Sequence, residues 1–303
     1  LIGRQLVEIL SQVNSDIIVV SLDKIVLNNV KCIYGDLCDY NFCLNITKNI
    51  DYVFHIAGVK GSIDVTRKKP ASFFVPLLMM NTNILEASRV NKVERLVYTS
   101  SIGAYSNTEI LKENNLEEQP MDSFPGWAKR MAEKQIESYN IQYGMNNFST
   151  VRLSAVYGPG DNFDSENAMV IPSLMSRILR GDNPVIVWGD GSEIRDFAFS
   201  KDIAEGIVLA LYHGTNSSFI NLSSGIGYSV SDLVKTLSEI TPFNYSFDVS
   251  KPRGFPCRVM DISLAKKQLG YNPSTSLKDG LSITWKWFLE HKNEYLKKQN
   301  YFI

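Results

Sequence analysis

Strand-like runs over residues 17–20, 30–34, 52–55, 95–98 and 149–152, the first four rich in apolar residues, alternate with stretches of helical period over 1–13, 77–90 and 127–143. Strands that short and that continuously apolar are buried on both faces, and strands separated by helices cannot pair as hairpins. The pattern therefore predicts an α/β fold, a doubly wound parallel sheet with helices on both sides. After Gly158-Pro159-Gly160 the rhythm loosens and Pro and Gly become more frequent. That change predicts a first domain over 1–157 and a smaller mixed α/β lobe over 158–303 that interleaves with it. The chain opens on Leu1 and enters a helical period at once, so the sheet is expected to lack its first strand in this fragment.

Composition excludes several classes of partner. The formal net charge of the 303 residues is -1, which gives no electrostatic case for nucleic acid or an anionic membrane. No run approaches the ~18 apolar residues of a membrane span. Cys32, Cys38, Cys43 and Cys257 show no C-x-x-C spacing and have no histidine nearby in sequence, so neither zinc nor a redox pair is expected. Free thiols of this kind fit a cytoplasmic protein.

In a doubly wound sheet, ligands bind beyond the carboxyl ends of the strands. Candidates must sit just after strands, and several do. Gly3 opens the first helix, where a glycine permits close packing beside a pyrophosphate on the helix N-terminus. Asp23 follows about 20 residues later at a strand end, where a carboxylate accepts ribose hydroxyls; a plain surface turn is the other reading. Lys24 beside it leaves room for a 2′-phosphate. Asp36, in Gly35-Asp36-Leu37, either faces an adenine edge or caps the following helix. His55 ends its strand and reads as a packed, hydrogen-bonded residue. Thr99-Ser100-Ser101 ends another strand, and Lys129 lies on the helix opened by Pro125-Gly126-Trp127. Finally, Gly189-Asp190-Gly191 makes a tight turn before Arg195, whose planar fork suits a diphosphate.

These pieces together resemble the extended short-chain dehydrogenases/reductases, the Rossmann-type NAD-dependent nucleotide-sugar epimerases, dehydratases and reductases. The likeness runs through Val156-Tyr157-Gly158-Pro159-Gly160, Arg195-Asp196-Phe197, Asp202, Lys251-Pro252 and Leu269-Gly270-Tyr271-Asn272-Pro273. Lys60-Gly61, Asp161-Asn162-Phe163 and Val170-Ile171-Pro172 are most similar to the GDP-fucose synthase branch. The resemblance implies that Ser101 is the catalytic serine and Lys129 the ribose-binding lysine. It implies cofactor contacts at Gly3, Asp23, Asp36, Leu37 and Ala57, and a grip on the substrate diphosphate by Arg195 and Arg258. The cofactor implied is NAD, with NADP open, and the substrate is a nucleoside-diphosphate sugar. Family members often form homodimers through two long helices per subunit, here 77–90 and 127–143, where Met79, Met80 and Leu85 exceed one core-facing stripe.

The departures narrow the reaction. The family's catalytic tyrosine stands four residues before the lysine, where this chain has Pro125. The cysteine and histidine that carry 3,5-epimerisation in GDP-fucose synthases fall at Ile102 and Met169, and the Asp-Glu pair of the dehydratases is absent from the segment after Thr99. What remains is 4-keto reduction or 4-epimerisation, with Tyr105, Ser101 acting through water, or a group of the substrate as the replacement acid. The alternative is a catalytically silent homologue that binds cofactor or nucleotide sugar.

Overall fold

The structure, a computed structural model, describes all residues except 14, 26, 28, 29, 60, 62, 107, 109, 115–119, 121, 122, 165–167, 217, 252, 253 and 296–303. Lys60 and Pro252, which carry part of the resemblance, lie outside the described residues. The first half runs α1 (Ile2–Leu10), β1 (Ile18–Ser21), β2 (Lys31–Tyr34), α2 (Tyr40–Ile46), β3 (Tyr52–His55), α3 (Ile63–Lys68), α4 (Pro70–Val90) and β4 (Arg95–Ser101). It continues through β5 (Ile110–Leu111), α5 (Ser123–Tyr143), β6 (Phe148–Leu153) and β7 (Ala155–Tyr157). The second half contains α6 (Val170–Arg180), β8 (Val185–Trp188), β9 (Ile194–Phe199), α7 (Ser200–His213) and β10 (Phe219–Leu222). It ends with β11 (Gly227–Ser229), α8 (Val230–Ile240), β12 (Tyr245–Asp248), β13 (Cys257–Met260), α9 (Ser263–Leu269) and α10 (Leu277–Tyr295).

Two parallel blocks make up the expected sheet: β1 beside β2, and four strands in the order β10-β6-β4-β3. Successive residues of β4 show why the strands read as continuously apolar. Val97 packs with Leu6, Ile203 and Ile207 from α1 and α7 on one face. Its neighbours Leu96 and Tyr98 pack with Leu85, Ala132 and Ile136 from α4 and α5 on the other. Side chains alternate across a strand, so a strand covered on both faces has no polar side to show. The remaining strands form β11-β9-β13-β5, with β7 also on β9, and the pair β12-β8. Only β11 runs antiparallel to its neighbour. Phe163, Met175, Phe197, Leu233, Leu281 and Phe288 form the core of that region. No helix among the described residues is long and apolar enough to cross a membrane.

Several local expectations shift. The helix expected over 77–90 starts at Pro70, since a proline in the first turn forfeits no intrahelical hydrogen bond. The helix expected to open at Pro125 starts at Ser123, which places Pro125 inside its first turn, again a tolerated position. Asp36 does not cap α2. It accepts from Cys38 N at 2.8 Å, while Asp39 caps the helix through Asn41 N and Phe42 N. Met80 and Leu85 are core residues, and only Met79 of the three is exposed.

Leu85 fills the space between α4 and the sheet, so Leu85→Ala should lower the unfolding free energy by about 2–5 kcal/mol. Ile141→Ala, at a residue 78% exposed on α5, should change it by less than about 0.5 kcal/mol. Urea titrations of both variants check the contrast, and equal losses would contradict the packing described.

Candidate active site

β4 ends in Thr99-Ser100-Ser101 and passes into a 3₁₀ turn over Ile102–Ala104. Ser101 caps that turn, its Oγ accepting from Gly103 N at 3.1 Å. The first turns of α5 press directly on this corner. A Cβ at Gly126 would collide with the Gly103 carbonyl oxygen and lie 2.8 Å from the Pro120 side chain, so only glycine permits the approach.

One turn further along α5, Lys129 reaches back over the strand end. Its Nζ donates to Thr99 O at 2.8 Å and stands 5.2 Å from the centre of the Tyr98 ring. Burial pushes the Lys129 ammonium down to about 8, and the negative charge of Glu133 works against that shift. Ser101 and Lys129 are thus brought to the same strand end, as the sequence led us to expect.

Beneath them lies a network that the sequence reading missed. Glu133, one turn beyond Lys129, accepts from Ser100 Oγ and from Arg152 through two bonds, Nε at 2.9 Å and Nη2 at 2.7 Å. Arg152 on β6 is held between the rings of Tyr105 and Phe219, with its guanidinium carbon 4.2 and 3.7 Å from their centres. The i, i+4 spacing of Lys129 and Glu133 on one helix was the available signal.

The phenols near this corner are committed elsewhere. Tyr105 is fully buried and donates to Asn221 Oδ1 at 2.8 Å, and burial pushes its phenol well above the usual range. That removes it as the replacement acid. Tyr98 donates to Lys129 O at 3.4 Å and accepts from Asn81 Nδ2 at 3.1 Å. His55 stacks on Tyr98 and shares a 2.8 Å hydrogen bond with Asn81 Oδ1. Burial, then the Lys129 charge, pushes the imidazole down to about 3, so it stays neutral and structural.

The expected cofactor residues lie at a helix start and just beyond strand ends. Gly3 lies where a Cβ would meet Ile56 Cδ1 at 3.0 Å, a close approach of α1 to the end of β3. Leu37 and Ala57 pack together against Leu77 and Ala128, the residue before Lys129. Asp36 is exposed and Asp23 is half-buried just beyond β1, its backbone N donating to Ser21 Oγ at 3.1 Å. No contact joins Asp23 to the Ser101–Lys129 corner. A carboxylate near a helix N-terminus at one end and a lysine at the other suit a dinucleotide, with its ribose hydroxyls and pyrophosphate.

Arg195 and Arg258 form a second cluster. They are register partners on the adjacent parallel strands β9 and β13. Arg258 lies over Phe255, 4.1 Å from the ring centre, and a Cβ at Gly254 would come within 2.6 Å of Arg195 Nη2. Burial, then the neighbouring Arg258 charge, pushes the Arg195 guanidinium below its ordinary value. Two adjacent guanidinium groups suit a doubly charged ligand group such as a diphosphate. β13 also pairs with β5, the strand that follows the Ser101 turn along the chain.

Residues 1–223 match the NAD dependent epimerase/dehydratase family. Over 252 residues the chain is 31% identical to a probable GDP-L-fucose synthase 1 of Oryza sativa subsp. japonica, covering 79% of this chain and 76% of that protein. Over 269 residues it is 31% identical to the GDP-L-fucose synthase of Escherichia coli K12, covering 82% and 83%. A UDP-glucose 4-epimerase from Thermotoga maritima, solved with UDP-glucose, superposes with a TM-score of 0.86 at 27% identity, covering 96% of each chain.

Removing Arg152 leaves the Glu133 carboxylate uncompensated in a site where the two side chains are 2% and 12% exposed. Arg152→Met should therefore cost about 3–5 kcal/mol of stability. Adding Glu133→Leu should recover part of that loss in urea titrations, and a double variant less stable than the single one would contradict the pairing. His55 has a second signature. Its folded value lies below the unfolded 6.5, so its stabilisation is complete above pH 6.5 and declines as pH falls toward about 3. Stability measured from pH 6 to 4 should carry a contribution of up to about 1.4 kcal/mol per pH unit that His55→Gln lacks.

Proposed function

This chain belongs to the NAD-dependent epimerase/dehydratase family of the extended short-chain dehydrogenases/reductases, and we propose that it moves a hydride at a carbon of a nucleoside-diphosphate sugar. The reaction is 4-keto reduction or 4-epimerisation. The observation that carries this reading is the convergence of Ser101 and Lys129 at the carboxyl end of β4. In this reading the nicotinamide cofactor supplies or takes the hydride. Lys129 holds its ribose, Ser101 donates to the reacting sugar oxygen, and Arg195 with Arg258 grips the diphosphate. Gly3 lets α1 approach the pyrophosphate, Asp23 accepts the ribose hydroxyls, and Asp36, Leu37 and Ala57 line the rest of the dinucleotide. Residues 1–157 form the cofactor part and 158–303 the substrate lobe, with β10 returning to the first sheet.

Four free cysteines fit a reducing compartment such as the cytoplasm. The protein works as a homodimer in this reading. Val75 and Met79 on α4 and Phe124, Trp127 and Met131 on α5 are exposed at helical spacings of three and four, an apolar face on two packed helices.

Pro125 supports a second reading, a silent binder of cofactor or nucleotide sugar, since its ring can neither donate nor accept a proton. Incubation with NAD or NADP, oxidised and reduced, and a panel of UDP-, GDP-, CDP- and dTDP-sugars with their 4-keto forms separates the two. Substrate-dependent turnover is expected with at least one sugar, and cofactor binding without any turnover would establish the silent binder. Sedimentation should find a dimer that Met131→Glu converts to monomer, whereas a monomeric parent would remove the dimer from the proposal.

A further inference from the structure

Hydride transfer at a carbinol or carbonyl carbon requires a proton to leave or reach its oxygen. Pro125 cannot handle one, and the Tyr98 and Tyr105 hydroxyls are bound inside the protein. No described residue stands as a base against Ser101; its Oγ accepts the backbone N–H of Gly103. Lys129 is differently placed. Of its three N–H groups, one donates to Thr99 O, and no other described residue accepts from it. The nearest carboxylate, Glu133, is occupied by Arg152 and Ser100 and forms no ion pair with Lys129. Gly58 stands beside it, where a Cβ would make ordinary van der Waals contact with Nζ at 3.7 Å. An ammonium buried beside carbonyl and aromatic groups, without a carboxylate partner, is the group here best suited to release a proton.

We propose that Lys129 is itself the proton carrier of the reaction, transferring a proton directly between its Nζ and the reacting sugar oxygen. This rests on the reading of the site as a nucleotide-sugar oxidoreductase. In the reducing direction the carbonyl carbon gains a hydride from the reduced nicotinamide cofactor. The C=O π pair becomes a new O–H bond with a proton from Nζ, and the neutral amine left behind regains a proton from water. In the oxidising direction the amine takes the hydroxyl proton while the carbon yields its hydride to the oxidised cofactor.

The surroundings set the working range. His55 on β3 and Tyr98 on β4 are neutral near pH 7, and Glu133 on α5 is matched by Arg152 on β6. Burial thus dominates and brings the ammonium to about 8, where both protonation forms are populated. Reduction needs the ammonium, so kcat for reduction should fall as pH rises through about 8. Oxidation needs the amine and should rise over the same interval.

The test uses the complete protein with the sugar that it turns over. Acetic anhydride labelling across pH, read on the Lys129 peptide by mass spectrometry, reports the amine without any turnover and should titrate near 8. Lys129→Arg keeps the positive charge but cannot release a proton in this range. It should hold the cofactor within about tenfold of the parent Kd while kcat falls by roughly 10²–10⁴-fold. Lys129→Arg turnover within about threefold of the parent, or labelling that titrates above pH 10, would overturn the proposal while leaving the oxidoreductase reading intact. A parent protein that turns over no nucleotide sugar would overturn both.

Discussion

The ligand edge depends on one close approach, that of α5 to the turn after β4. Gly126 allows the helix to rest on the Gly103 carbonyl. Pro125, Lys129 and Glu133, four residues apart, lie on one stripe of the helix, and Lys129 and Glu133 reach the strand end. The neighbouring stripe of Ala128, Ala132, Ile136 and Tyr139 is buried. The alanines bring the helix axis near the sheet, which is why a lysine stem reaches Thr99 O. A larger residue at Ala128 or Gly126 would move the whole stripe outward, with Lys129 and Glu133 together.

The Glu133–Arg152 pair governs the electrostatics beside that stripe. A carboxylate one helical turn from Lys129 would by itself hold the ammonium protonated. Arg152 draws both Glu133 oxygens away, and the rings of Tyr105 and Phe219 hold the guanidinium in place. Glu133 is thus taken up by Arg152 and Ser100, although Arg152 Nη1 finds no hydrogen-bond partner among the described residues, and Lys129 is left to its desolvated surroundings. Buried polar networks of this kind are costly when incomplete, which ties the state of Lys129 to residues that never meet a ligand.

The sheet was legible in the sequence because strands covered on both faces must be apolar throughout, as Leu96, Val97 and Tyr98 illustrate. The placement of Ser101 and Lys129 at one strand end was legible because strand-end position and family pattern agreed. The Glu133–Arg152 pair was not, since its members are 19 residues apart on different elements and the pairing is purely tertiary. Helix starts were misjudged at Pro70 and Ser123 for a related reason. Proline signals the vicinity of an N-terminus without fixing which residue of the first turn it occupies. Tyr105 could not be judged from sequence at all, because its hydroxyl is consumed by Asn221, which stands 116 residues away.

The return of β10 to the outer side of β6 has a consequence for how the molecule is made. On a ribosome adding about 5–20 residues per second, β6 emerges several seconds before its partner exists. During that interval a strand that is buried along its whole length in the finished fold shows an unpaired edge, the kind of surface that templates wrong pairings. The same holds for β5, whose partner β13 follows well over a hundred residues later. Strands from late in the chain thus complete sheets begun early, and a break between β6 and β10 would leave both β6 and β5 with an open edge.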